Sequence, residues 1–115
     1  MEDRLTTHAI DTTRGEGARA MRVDIRRIRP EPSELGSFVL DDKGRGVLVR
    51  ASTLPTGIYE LVFHVAQYHR DRGFALTEPP FLDEIAVRFG VSDQQAHYHI
   101  PILLSPYAYS IYRGG

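Results

Sequence analysis

The sequence predicts an all-β protein: an antiparallel β-sandwich of seven to eight short strands with one short helix. Three observations carry this. Apolar and charged residues alternate with a period of two, as Met21, Val23 and Ile25 do against Arg22, Asp24 and Arg26, which is the pattern of a strand with one face on a core. Turn signals built on Gly, Pro and Asp recur roughly every eight to twelve residues, the spacing of a sandwich. Only one stretch, Val65 to Arg72, loses the period of two without turn residues inside it.

Taken in order, Leu5 to Thr12 is rich in Thr with Ala9 and Ile10 between, which suits a first strand. Arg14-Gly15-Glu16-Gly17 is a turn, since glycine accepts positive φ at no steric cost. The Met21 to Arg26 run is a half-buried strand with a charged outer face, and Arg22, Arg26, Arg27 and Arg29 are expected to be solvated. Two prolines between Arg29 and Ser33 break the pattern. Ser37 to Leu40 is a short strand, and Asp41 to Gly46 is a tight turn that holds an arginine at a strand edge. Val47 and Val49 begin the next strand. After Pro55-Thr56-Gly57, Tyr59, Leu61 and Phe63 share one face. Val65 to Arg72 reads as a helix closed by Gly73. Ile85, Val87 and Phe89 alternate with Glu84, Ala86 and Arg88 as another strand. Gly90 to Gln95 turns into the strand after His97, and Pro106 separates that strand from a last one, Tyr107 to Tyr112.

A chain of 115 residues is expected to form one domain spanning 1–115. Its net charge of −1 gives no field that favours nucleic acid or an anionic membrane. No cysteine is present, which excludes disulfides, thiolate catalysis and Cys-ligated zinc. No apolar run approaches the roughly 18 residues of a membrane span, and the N-terminus lacks an apolar h-region. The expectation is a soluble, unprocessed, cytoplasmic protein without nucleic-acid or membrane partners.

The stretch from His97 to Gly115 carries the chemistry. His97 and His99 stand at i and i+2 of a strand and project to one face, while Tyr98, Ile100, Ile102 and Leu104 cover the core side. Paired imidazoles suit acid–base work or metal binding; the plainer reading is a solvated strand face. His64 and His69 fall outside this pattern and read as structural or surface histidines.

Three stretches together resemble a known family. They are Leu5-Thr6-Thr7-His8-Ala9-Ile10-Asp11-Thr12-Thr13-Arg14-Gly15, the turn Asp42-Lys43-Gly44-Arg45, and the block from His97-Tyr98-His99-Ile100-Pro101 through Leu104-Ser105-Pro106-Tyr107 to Tyr112-Arg113-Gly114. Their order is similar to that of the 5-hydroxyisourate hydrolases, the enzyme branch of the transthyretin-like proteins. The resemblance runs from about Leu5 to Gly114. The carrier branch, transthyretin, lacks the His-Tyr-His run, the histidine of the first strand and the terminal Tyr-Arg-Gly-Ser. Position 115 is Gly where the family has Ser, position 108 is Ala where it has Gly, and position 111 is Ile where it has Thr.

The resemblance implies a transthyretin-like (prealbumin-like) sandwich assembled as a homotetramer, with active sites in a channel at the dimer–dimer interface. It implies hydrolysis of 5-hydroxyisourate to 2-oxo-4-hydroxy-4-carboxy-5-ureidoimidazoline in urate degradation, without metal or other cofactor. The reaction needs a base for water, an acid for the leaving nitrogen and positive charge for an oxyanion. His99 and His8 are the expected water-activating pair and Arg45 the group that binds and polarises the substrate. His97, Tyr112, Arg113, Ser110 and Gly115 are expected around the substrate, with Ser105 a weaker candidate. Three other readings stay open: a related enzyme acting on a different heterocycle, a non-catalytic small-ligand carrier of transthyretin type, and a zinc held by His8, His97 and His99.

Overall fold

A computed structural model describes all 115 residues, Met1–Gly115. The chain folds into nine strands and one helix: β1 (Glu2–Asp11), β2 (Glu16–Gly17), β3 (Arg22–Arg29), β4 (Ser33–Val39), β5 (Arg45–Ala51), β6 (Gly57–Phe63), α1 (Val65–Asp71), β7 (Ile85–Val91), β8 (Tyr98–Leu104) and β9 (Tyr109–Ile111). Two sheets face each other. One runs β2-β1-β8-β9 with β5 also paired to β1; the other runs β4-β3-β6-β7.

The alternation in the sequence explains the core. Met21, Val23 and Ile25 point inward, as do Tyr59, Leu61 and Phe63, and Tyr98, Ile100, Ile102 and Leu104, all buried in one cluster. Burying such side chains contributes roughly 1.5–3 kcal/mol each relative to exposure. The helix forms at the expected place and ends before Gly73, whose φ is +81°.

Three features depart from the sequence reading. The strand count is nine because Glu16–Gly17 pairs briefly with Ile10 and Asp11. The sandwich is antiparallel except for one pairing: β1 runs parallel to β8, Leu5 beside Tyr98 through Asp11 beside Leu104. The arginines of β3 are not simply solvated. Glu60, 5% exposed on β6, is held between Arg26 on β3 (2.8 Å) and Arg88 on β7 (3.0 Å). Arg27 stands over the Tyr59 ring at 5.9 Å and donates to the Thr56 carbonyl.

Two local devices set the outer face of the larger sheet. Arg4 is an extra residue between Asp3 and Leu5 in the β1–β5 register, and Leu48 is an extra residue on β5 opposite the Leu5–Thr6 step; the two irregularities together set the pairing of Thr6 with Val47 and of His8 with Arg45. The Arg4 guanidinium donates to the carbonyls of Ala51, Ser52 and Gln95, tying β1 to the end of β5 and to the approach to β8. The β4–β5 turn is shaped by Asp41, whose Oδ1 accepts from the N–H groups of Lys43 and Arg45, each at 2.9 Å. Gly44 sits there at φ +76°, and a Cβ would stand 2.3 Å from the Ala9 carbonyl oxygen. Only glycine fits a turn packed so closely on β1.

Candidate active site

From Leu5 on, β1 alternates cleanly: Leu5, Thr7, Ala9 and Asp11 are buried, while Thr6, His8 and Ile10 lie on the outer face. Register brings that face together. His8 stands opposite Arg45 on β5, and Thr6 stands between Val47 on β5 and His99 on β8. Thr6 and its neighbour have divided roles. The Thr7 hydroxyl turns inward and donates to the Ile100 carbonyl (2.7 Å). The Thr6 hydroxyl turns outward and lies 2.8 Å from both His97 Nε2 and His99 Nδ1.

His97 sits just ahead of β8 and is exposed, while His99 is half-buried within it. Their ring centroids are 6.4 Å apart. Burial first, then the neighbouring imidazoles of His97 and His8, hold the His99 pKa below its usual value, so the ring is neutral near pH 7. Its Nδ1 is engaged by Thr6, which leaves Nε2 as the nitrogen free for chemistry. His8 Nε2 lies 3.0 Å from the Lys43 carbonyl. A carbonyl only accepts, so this nitrogen carries the proton and His8 Nδ1 keeps its lone pair.

These residues surround an open cleft of about 630 Å³ lined by Thr6, Asp41, Arg45, Arg50, His97, His99 and Gly115 among others. The last residues reach it as a strap along β8. Gly114 N–H donates to the His99 carbonyl (2.7 Å) and Tyr112 N–H to that of Pro101 (3.4 Å).

The structure therefore gathers Arg45, His97, His99 and Gly115 in one cleft, with His8 beside Arg45. Tyr112 and Arg113 do not join it within one chain. Gly114 pairs with His99, and strand alternation sends the preceding side chain to the other side of β8. The Arg113 guanidinium stands 4.2 Å over the Tyr98 ring, in a separate apolar cleft with Val87, Phe89, Ile100 and Ile111. Ser110 lies opposite Leu103, further along β9. Ser105 Oγ accepts from the N–H groups of Tyr107 (3.3 Å) and Ala108 (3.1 Å), and so shapes the β8–β9 turn. No three His, Asp or Glu side chains stand where they could share a metal ion, so His8, His97 and His99 do not converge as ligands.

Thr6 and Arg50 escaped the sequence reading. For Thr6 a signal existed: it lies two residues before His8 and hence on the same strand face.

Fold and site together describe a transthyretin-like sandwich whose outer sheet face carries imidazoles and arginines. The HIUase/Transthyretin family profile matches residues 5–114, and the chain belongs to that family. It is 43% identical to 5-hydroxyisourate hydrolase 2 of Rhizobium meliloti, over 96% of this chain and 95% of that one. It is 38% identical to 5-hydroxyisourate hydrolase of Pseudomonas aeruginosa, over 96% and 90%. Among solved structures, (S)-allantoin synthase superposes with a TM-score of 0.91 at 36% identity, covering 97% of this chain, which spans 43% of that longer one. Klebsiella pneumoniae 5-hydroxyisourate hydrolase superposes at 0.81 with 27% identity, each chain fully covered.

Proposed function

We propose that this chain is a cytoplasmic 5-hydroxyisourate hydrolase, opening a C–N bond of the six-membered ring to give 2-oxo-4-hydroxy-4-carboxy-5-ureidoimidazoline. The observation that carries the reading is the Thr6-linked pair His97 and His99 on the same sheet face as Arg45 and His8. A carrier needs an apolar channel wall; this face offers bases and a guanidinium.

In the proposed reaction, water attacks a ring carbonyl while His99 Nε2 takes one of its protons, with the His8 Nδ1 lone pair as the second acceptor of the pair. Neutral imidazoles suit both proton steps near pH 7. Arg45 binds the planar, acidic ring through its fork of N–H groups and stabilises the charge that develops on the attacked oxygen. The tetrahedral intermediate collapses with C–N cleavage, and the proton held on His99 passes to the leaving nitrogen. His97 orients its partner, and Gly115 contributes backbone at the rim. The chemistry as drawn calls for no metal or cofactor.

The working unit we propose is a homotetramer with this face turned toward a channel between dimers. Support comes from the openness of the cleft, from Val39 at its rim, 70% exposed, and from the unpaired sheet edges β7 and β9. A paired edge would also be protected from aggregation.

The deciding experiment generates 5-hydroxyisourate from urate with urate oxidase and follows its ultraviolet decay with wild type, His8→Ala and His99→Ala. Acceleration by the wild type, abolished in both variants, is expected. No acceleration by a folded wild-type assembly would overturn the reading in favour of another heterocycle or of ligand carriage.

A further inference from the structure

We propose that Thr6 is a proton-relay and positioning residue that locks His97 and His99 into a shared protonation pattern. This rests on the hydrolase reading and deepens it.

The geometry is restrictive. A hydroxyl has one proton to give and lone pairs to receive. Thr6 Oγ1 lies 2.8 Å from a ring nitrogen of each histidine, so it donates to one ring and accepts from the other. Two arrangements follow. In the first, His99 Nδ1–H donates to Thr6 and Thr6 O–H donates to His97 Nε2; both neutral rings then carry their proton on Nδ1, and His99 Nε2 is a free base. In the second, His97 Nε2–H donates to Thr6 and Thr6 O–H donates to His99 Nδ1; both rings then carry their proton on Nε2. The two rings cannot choose independently.

The backbone fixes the hydroxyl. Thr6 is paired on both sides, to Val47 and to His99. Its β-branched side chain has few χ1 choices, and Thr7 holds β8 in place from the other face.

The relay balances. Water gives a proton to His99 Nε2, making an imidazolium. Its Nδ1 proton passes to Thr6 Oγ1 as the Thr6 proton passes to His97 Nε2. The positive charge now sits on His97, which is exposed, rather than on half-buried His99. Burial already disfavours the charged form of His99. When the leaving nitrogen takes the His99 Nε2 proton, the other two protons return along the same path and the resting state is restored. Net transfer is one proton from water to nitrogen.

The test uses the full chain as purified, with Thr6→Val and Thr6→Ser. Val keeps the branched shape without the hydroxyl; Ser keeps the hydroxyl. We expect T6V to lose about ten- to a hundredfold in kcat with KM within about threefold, and T6S to stay within about threefold of wild type in kcat. Wild-type kcat in T6V, an equal loss in T6S, or a KM effect with kcat unchanged would overturn the relay. In parallel, two-bond ¹⁵N–¹H spectra of the imidazoles report each tautomer without any substrate. Like tautomers at His97 and His99 in the wild type, randomised in T6V, are expected. Unlike tautomers in the wild type would overturn the proposal. If the wild type does not turn over 5-hydroxyisourate, the hydrolase reading fails alone and the spectra decide the role of Thr6.

Discussion

Gly114 lies against the imidazole of His99: a Cβ added there would stand 2.7 Å from His99 Cδ2 and 3.3 Å from Pro101 Cγ. The strap that closes β8 is therefore also the wall behind a ring expected to move protons.

Gly114→Ala should push that ring off its bond to Thr6, or lift the strap from the His99 carbonyl. A displacement of about 1 Å at a reacting group can cost on the order of a hundredfold. We expect kcat to fall tenfold or more, by an order-of-magnitude argument, with circular dichroism unchanged. A variant with wild-type kcat would show that the strap yields freely.

Arg45→Lys keeps the charge opposite His8 but replaces a planar fork with a point charge. The expected outcome is a loss of about ten- to a hundredfold in kcat/KM, measured on freshly generated 5-hydroxyisourate. Full activity with lysine would mean that charge alone suffices.

His69 on α1 is 1% exposed, and neither ring nitrogen finds a partner in hydrogen-bond geometry. Burial holds its pKa below the ordinary imidazole value of 6.5, against the pull of the Asp11 carboxylate. The native state thus binds fewer protons than the unfolded chain below that value. Stability is fully present above pH 6.5 and declines as pH falls toward the folded pKa. Tm measured from pH 7.5 to 5 should fall for the wild type and fall less steeply for His69→Leu. Parallel curves would show that another group governs acid sensitivity; His99, also shifted down, would be next.

Tyr68→Phe addresses a buried carboxylate. Asp11 accepts from Tyr68 Oη (2.7 Å), Arg14 Nη1 (3.1 Å) and the Thr13 N–H (2.9 Å). Burial raises the Asp11 pKa, but these hydrogen bonds outweigh it and the carboxyl titrates below its usual range. Burial first, then the Asp11 carboxylate, pushes the Tyr68 hydroxyl up to about 12. Removing it leaves a buried charge short of one donor, at a cost of about 1–3 kcal/mol. Denaturant unfolding should show that loss with the m-value unchanged; an unchanged midpoint would mean that water replaces the phenol.

Chelation with EDTA should leave the hydrolysis rate as it was. A loss restored by zinc would bring back the three-histidine metal reading that the geometry of His8, His97 and His99 does not favour.

Much of the fold was legible because it rests on local periodicity. Met21 to Ile25, Tyr59 to Phe63 and Tyr98 to Leu104 each announce their buried side by alternation. The parallel neighbours β1 and β8 were not legible, since nothing local records which distant strand lies alongside. Thr6 was half legible: its place two residues before His8 put it on the same face, but its contact with His99 depends on that register. The positions of His8, Arg45, His97 and His99 followed from spacing and from the family resemblance. Within one chain Arg113 lies outside the cleft, and a signal for that existed: once Gly114 is opposite His99, alternation sends the previous side chain to the other face. Ser105 was better explained as the residue that folds its own turn.

The adjacency of β1 and β8 has a consequence for synthesis. Thr6 and His99 are separated by 93 positions, and the ribosome delivers the N-terminal strand first. Until β8 emerges, β1 has β5 on one side and a bare hydrogen-bonding edge on the other. The Thr6 hydroxyl then lacks both of its histidine partners. A chain interrupted before that point exposes a strand edge that a chaperone or another nascent chain can occupy. Strand β8, made long after β1, both seals that edge and brings His99 to the Thr6 hydroxyl.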